Sequence, residues 1–509
     1  MKKYMESGKA ALQYTSPENV GVSSTNIEAY IRLLEENQFA THSLILARGN
    51  QIFYENYWEP FHRDFLHRMY SVTKSFVAIA IGFLLQDGQI QLDDKISKYF
   101  SKELEQQSDS NMHNQTIRHM LMMSTAKTPQ NWFKAGTKDR VQFYFDNGSE
   151  FSRPSGTLFE YDSTGSFVLG ALVERLTGLE LMEYLRIKLF NQIGVSEDVH
   201  CLKCPGGHSW SDSALLCRPM DLLLVARFML NGGSWNGKQL LDAEYVKAAT
   251  SKQIANDYII ADNFNAQGYG YQFWMTYQNS FFFNGMGSQY AVCVPDKDII
   301  MVYNADNQGK EQVRKLIFDG FFDYIVNSAQ DHPLPENIDA LRRLKEYGAE
   351  RKLLSVKGDM HSPWEKRIHR KNYVVDKNPM GISRIQLIFK ENGGCLSYTN
   401  EQGEKEIHFG YGHNVLGDFP QEGYSKDVGS ETTTGHFYKY AASGAWIESH
   451  KLQILVQIID KYFGNLTITL GFQEEKVGIF MHKNAENFLE EYKGYATGVQ
   501  KVTETLTKG

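Results

Sequence analysis

Two segments of the chain carry a serine followed three positions later by a lysine, a pairing that can make a nucleophile: Ser71-Val72-Thr73-Lys74 and Ser124-Thr125-Ala126-Lys127. A serine hydroxyl attacks a carbonyl only when a neighbouring base takes its proton. A lysine can be that base where burial disfavours its ammonium form. The spacing alone is cheap, since average composition gives about two chance matches in a chain of this length. Context separates the two. Ser71 stands just before Ser75 to Leu85, an almost wholly apolar run closed by Asp87-Gly88, which predicts a buried helix with a glycine stop. The Ser71 hydroxyl then lies at a helix N-terminus, where unpaired N–H groups and the macrodipole favour developing negative charge, and Lys74 shares its helix face. Ser124 follows a Met-rich helix and leads into Thr128-Pro129, with no apolar helix to bury Lys127, so it reads as a helix terminus. The competing reading of Ser71 is an ordinary N-cap, with Lys74 solvated.

The elements that must hold this pair follow from periodicity. Ser43 to Tyr54 reads as a hairpin around Gly49-Asn50. Helical patterns cover Thr116 to Met123, Phe167 to Thr177 and Met220 to Asn231. Strand patterns return at Tyr269 to Met275, Ser280 to Phe283, Tyr290 to Val294 and Ile299 to Tyr303, and an amphipathic helix over Gln312 to Val326 closes the segment. Strands at both ends with helices between predict one antiparallel sheet built from the two ends, flanked by helices and carrying a helical insert. Asp331-His332-Pro333-Leu334-Pro335 reads as a linker, followed by a charged helix over Ile338 to Leu354. Beyond it, Ile385 to Phe389, Leu396 to Thr399, Leu452 to Ile459, Leu466 to Phe472 and Val477 to Met481 predict a smaller all-β domain, barrel- or sandwich-like. The fold class is α+β with that β domain appended, the domains being 1–330 and 331–509.

Two further motifs stand in order after Ser71-x-x-Lys74. Tyr161-Asp162-Ser163 precedes a helix, and Gly285-Met286-Gly287-Ser288-Gln289-Tyr290 opens the last strands. With these three the chain resembles the serine β-lactamase and penicillin-binding-protein superfamily over about residues 15 to 325, in the branch of class C β-lactamases, esterases and 6-aminohexanoate-dimer hydrolases. The resemblance implies an acyl-enzyme mechanism. Lys74 and Tyr161 handle the proton of Ser71, Ser163 and the Met286, Gly287 and Ser288 segment border the substrate, and the Gln289 N–H pairs with that of Ser71 as an oxyanion hole. By residue type alone, Tyr161 is one of 28 tyrosines, most of which pack, and the glycine pair fits a bulge.

Two positions depart from the family pattern. Ser155-Gly156 replaces the usual Pro-Gly before the tyrosine, and Met286 stands where β-lactamases and transpeptidases carry a lysine or histidine that grips the substrate carboxylate. Methionine offers only a soft apolar contact, so the expectation is an esterase or amidase. A D-amino-acid peptidase or β-lactamase is the alternative enzyme, and a retired hydrolase serving as a binding or sensing module the alternative of another class.

The remaining features exclude more than they identify. A net charge of -7 leaves no basic footprint for nucleic acid, which favours a small ester, amide or short peptide substrate; self-association is left open. No apolar run is long enough to span a bilayer, and Met1 to Gly8 has two lysines without an apolar stretch after them, so the expected compartment is the cytoplasm. No Gly-x-Ser-x-Gly elbow, P-loop or dinucleotide fingerprint stands out. Five cysteines give no disulfide framework. His200, Cys201, Cys204, His208 and Cys217 are metal-type ligands, but one Cys-x-x-Cys without a second pair reads as reduced thiols in a loop, so no metal or organic cofactor is expected. Trp446, Tyr462 and Phe463 in the β domain read as core aromatics.

Overall fold

The computed structural model describes residues 12–128, 139–146, 152–422, 435–486 and 488–501; Pro129 and the first eight residues, read above, lie outside them. The chain forms two compact units that divide between Lys352 and Leu353.

The first unit is built on a seven-stranded sheet in the order Gln13–Tyr14, Gln51–Tyr57, Thr41–Arg48, Ile299–Ala305, Gln289–Val294, Ser280–Gly285, Trp274–Thr276. Its neighbours are antiparallel except for the short outer pair at Gln13↔Gln51. The early hairpin and the late strands therefore meet in mid-sheet, from Arg48↔Ile299 onward. Ile299–Ala305 and Gln289–Val294 are buried along their whole length, which is why they read as continuous apolar runs and not as alternation. One face is covered by Ser24–Glu36 and the closing helix, through Tyr30, Leu34, Phe318 and Phe321 packed with Phe282 and Tyr290. The closing helix runs as α over Lys315–Gly320 and widens to π geometry over Phe321–Val326. On the other face lie Val72–Gln86, through Phe76 against Phe283, and Pro219–Leu230, whose Ala226 carbonyl lies 3.8 Å from Cys293 Sγ.

The expected boundary at 330 is corrected to 352. The helix Ile338–Ala349 does not begin the β unit but packs on Ser24–Glu36. Leu344 joins the same core, the Arg32 guanidinium lies 4.1 Å from the Tyr347 ring centre, and Glu35 accepts hydrogen bonds from Tyr347 and Arg351.

The second unit is a closed barrel. Nine strands follow in the order Gly403–Tyr411, Gly393–Asn400, Arg384–Lys390, Asn372–Val375, Gly494–Gln500, Lys476–Ala485, Phe463–Gln473, Lys451–Ile459 and Lys439–Glu448. The last pairs back to the first in parallel, at Gly410↔Ser443 and Tyr411↔Gly444. Val415–Asp418 adds to the Lys439–Glu448 strand. Buried and partly exposed residues alternate along Phe463–Gln473, placing Leu466, Ile468 and Leu470 inside. Trp446, Tyr462 and Phe463 are buried. Among the described residues no helix is long and apolar enough to cross a membrane.

Candidate active site

Ser71 is the residue before the first turn of Val72–Gln86, a helix buried from Val72 to Leu84. Its hydroxyl makes no capping bond to that helix and instead accepts from Lys74 Nζ at 2.8 Å. Lys74 is 1% exposed and its amine also donates to the Asp212 carbonyl at 2.6 Å. Among the described residues no carboxylate forms an ion pair with it. The two bland alternatives, an N-capping serine and a solvated lysine, are thus not what the side chains do. Tyr70, just before the serine, is buried with φ at +47°, a conformation that costs a non-glycine residue about 1–3 kcal/mol and persists only where its surroundings over-determine it. Thr73 helps fix it: its hydroxyl donates to the Tyr70 carbonyl at 2.6 Å and accepts from the Leu215 N–H at 3.0 Å.

Tyr161 closes the site from the second motif. The Lys74 amine lies 5.2 Å from the centre of its ring, which stacks on Trp274 at 5.6 Å. The turn is held by Asp162, whose buried carboxylate caps the helix Ser163–Thr177 by accepting from the N–H groups of Thr164 and Gly165 at 2.9 and 3.0 Å. Burial pushes the Asp162 carboxyl up, against these bonds, which pull it down. Ser163 is the first residue of that helix and half-buried.

The third motif is the tip of the hairpin between Ser280–Gly285 and Gln289–Val294. A Cβ built on Gly285 would stand 2.3 Å from the Met69 carbonyl oxygen, so the strand lies directly against the backbone leading to Ser71. Gly287 and Ser288 turn the chain with φ at +72° and +76°, and Met286 is half-buried. Gln289 opens the strand behind this turn. It is fully buried in an inner strand, and its side chain is a brace: Nε2 donates to the carbonyls of Met286 and Ala305 at 3.1 and 2.5 Å, and Oε1 accepts from Asn304, itself bonded to Ser43.

Ser124 and Lys127 do not pair. The Ser124 hydroxyl is buried and donates to the His119 carbonyl at 3.0 Å. Asp212 was not singled out by any spacing. Its carbonyl takes the lysine, while burial pushes its carboxyl up, opposed by Lys74, Arg140 and Arg68. The approach of Gly285 to Met69 had no sequence signal beyond the glycine itself.

Residues 27–199 match the family model described as Beta-lactamase. Over that stretch the chain is similar to the β-lactamase family. The chain is 25% identical over 260 residues to the 6-aminohexanoate-dimer hydrolase of Paenarthrobacter ureafaciens, an alignment covering 48% of this chain and 66% of that protein. An uncharacterized protein of Alkalihalophilus pseudofirmus is 24% identical over 241 residues, 42% of this chain and 66% of its own. The chain thus spans just under two thirds of these curated relatives. A solved structure from Bacillus anthracis, provisionally described as a 6-aminohexanoate-dimer hydrolase, superposes with a TM-score of 0.52 at 16% identity, over 64% of this chain and 88% of that one. That likeness concerns the fold.

Proposed function

We propose that this hydrolase cleaves ester or amide bonds of small substrates through an acyl-enzyme on Ser71. The observation that carries the reading is the buried Lys74 amine held between the Ser71 hydroxyl and a backbone carbonyl, with the Tyr161 ring alongside. In the first step Lys74, with Tyr161, takes the Ser71 proton while Oγ attacks the carbonyl carbon. The oxyanion is held by the N–H of Ser71, at the helix start, and by the backbone N–H of Gln289, the donor that the family resemblance implies. The proton passes to the leaving oxygen or nitrogen as the scissile bond breaks. Water then adds to the acyl carbon by the reverse relay and frees the serine. Met286 places no charge where a carboxylate would sit, which supports uncharged esters and amides over β-lactams.

The test is covalent labelling with a fluorophosphonate or an activated ester, read by intact mass. Ser71→Ala is expected to abolish labelling and Ser124→Ala to leave it unchanged. Labelling of the Ser71→Ala protein at the parental rate overturns the assignment. Stable acylation by a penicillin would instead favour the peptidase or β-lactamase alternative.

A further inference from the structure

The metal-type residues that the sequence groups together are not the ones the fold brings together. Cys201 turns its thiol to the Trp210 carbonyl at 3.4 Å, and His208 turns Nδ1 to Glu174 at 2.7 Å. In the barrel unit, by contrast, Cys395, Glu406 and His408 place one ligand atom each within 4.8 Å of one another. The strand register explains why. Cys395 on Gly393–Asn400 lies directly opposite His408 on Gly403–Tyr411, and Glu406, two residues before His408, points to the same side of the pleat. His408 Nε2 already stands 3.5 Å from the Glu406 carboxylate. That separation is close to the edge of a tetrahedron drawn around an ion with bonds of about 2.0–2.2 Å to nitrogen and oxygen and about 2.3 Å to sulfur.

We propose that Cys395, Glu406 and His408 form a binding site for one borderline divalent transition-metal ion, of which Zn2+ best suits one thiolate, one imidazole and one carboxylate. The donor set is what argues for this class: oxygen-seeking Mg2+ and Ca2+ gain nothing from a thiol or an imidazole, whereas Zn2+ and Co2+ accept all three. The frame is rigid. The two strands are paired at eight successive positions from Gly393↔Gly410 to Asn400↔Gly403, and the Tyr440 hydroxyl ties down the His408 main chain at both its N–H and its carbonyl. Access is open from one side, since Glu406 and His408 are exposed while Cys395 is buried beneath them. A solvent molecule completes the fourth position. Binding displaces the Cys395 thiol proton to solvent and forms the metal–sulfur bond in its place. The site lies on residues of the barrel unit alone and is independent of the Ser71 chemistry.

Co2+ titration of the full chain, stripped with a chelator, tests this. The expected result is a thiolate-to-cobalt charge-transfer band that saturates at one equivalent and is bleached by one equivalent of Zn2+. Cys395→Ser should abolish the band. His408→Ala and Glu406→Gln, both at exposed side chains that the fold does not need, should each weaken binding by more than the roughly 10- to 100-fold lost with an outer contact. Cys201→Ser should leave it unchanged. Zn2+ should raise the melting temperature of the parent and not of Cys395→Ser. No band at saturating Co2+, or a band that survives Cys395→Ser or disappears with Cys201→Ser, overturns the assignment.

Discussion

Gly285→Ala is the smallest change that probes how the fold holds Ser71, the proposed nucleophile. The added methyl carbon would stand 2.3 Å from the Met69 carbonyl oxygen and 2.8 Å from Gln289 Cβ. Met69 is backbone, two residues before Ser71, and cannot swing aside as a flexible side chain would. Ordinary carbon–oxygen contact needs roughly 1 Å more, so either the strand or the strained Met69–Tyr70 segment must move by about that much. The overpacking should cost about 1–3 kcal/mol of stability. Because reacting atoms must be held to a fraction of an ångström, a displacement near 1 Å is expected to lower kcat by roughly 100-fold. The assay is p-nitrophenyl acetate hydrolysis alongside a thermal melt. Gly471→Ala is the matched control, as a Cβ there meets nothing within 4 Å, and it should change neither reading. If Gly285→Ala keeps the parental kcat in a folded protein, the argument that this contact registers the nucleophile against the hairpin is wrong.

Three further outcomes are expected. Lys74→Met should remove acylation, and Tyr161→Phe should lower it by roughly 10²- to 10⁴-fold, both measured as the burst of p-nitrophenol. Asp162→Ala should lose about 1 kcal/mol of stability with its cap and lower activity through the displaced Tyr161 turn, read by denaturant melts and kcat. Acid should destabilise the first unit through a buried histidine pair, His42 Nδ1 and His67 Nε2 being 2.7 Å apart, with His67 Nδ1 donating to the Arg68 carbonyl. Burial pushes His67 from 6.5 down to about 3, so the unfolded chain takes up a proton that the native state refuses. Stability is then full above pH 6.5 and falls toward pH 3, with about 2 kcal/mol lost by pH 5. His67→Gln should make that dependence shallower, leaving the share of His42, which burial also pushes well below 6.5; a melting curve as steep as the parent's between pH 7 and 5 counts against it.

The parts of this molecule that were legible in its sequence share one property: a continuous apolar signal with clear stops. The helix behind Ser71, the hairpin at Gly49 and the strands at Ile299–Ala305 and Gln289–Val294 are of that kind, and their order was enough to suggest the sheet. In the barrel, Gly403–Tyr411 begins Gly-Glu-Lys-Glu, and Gly494–Gln500 exposes Tyr495 and Val499 while its less exposed side carries Gly494, Ala496 and Gly498, so neither strand offered an apolar run to a search for one. Asn372–Val375 and Val415–Asp418 are too short to show a period. In the site, Asp162 was readable as a cap before Ser-Thr-Gly, but Asp212 was not, because what it offers Lys74 is a carbonyl that any residue carries. For Gln289 it is the side chain that could not be read: register sets the residue opposite Gly285 and its amide in a buried network with Asn304.

The seam of the barrel is made of residues that leave no room for error. Gly410 and Gly444 would each bring a Cβ to 2.6 Å of its neighbours, His413 and Phe409. A ring of strands has no free edge, and this one is completed by only two paired positions. Any side chain at Gly410 or Gly444 that parts them would expose two rows of unsatisfied backbone donors and acceptors at once. The symptom of such a substitution would be aggregation and loss of soluble yield, with normal turnover per surviving molecule, and it would be mistaken for an expression problem by anyone searching only near Ser71.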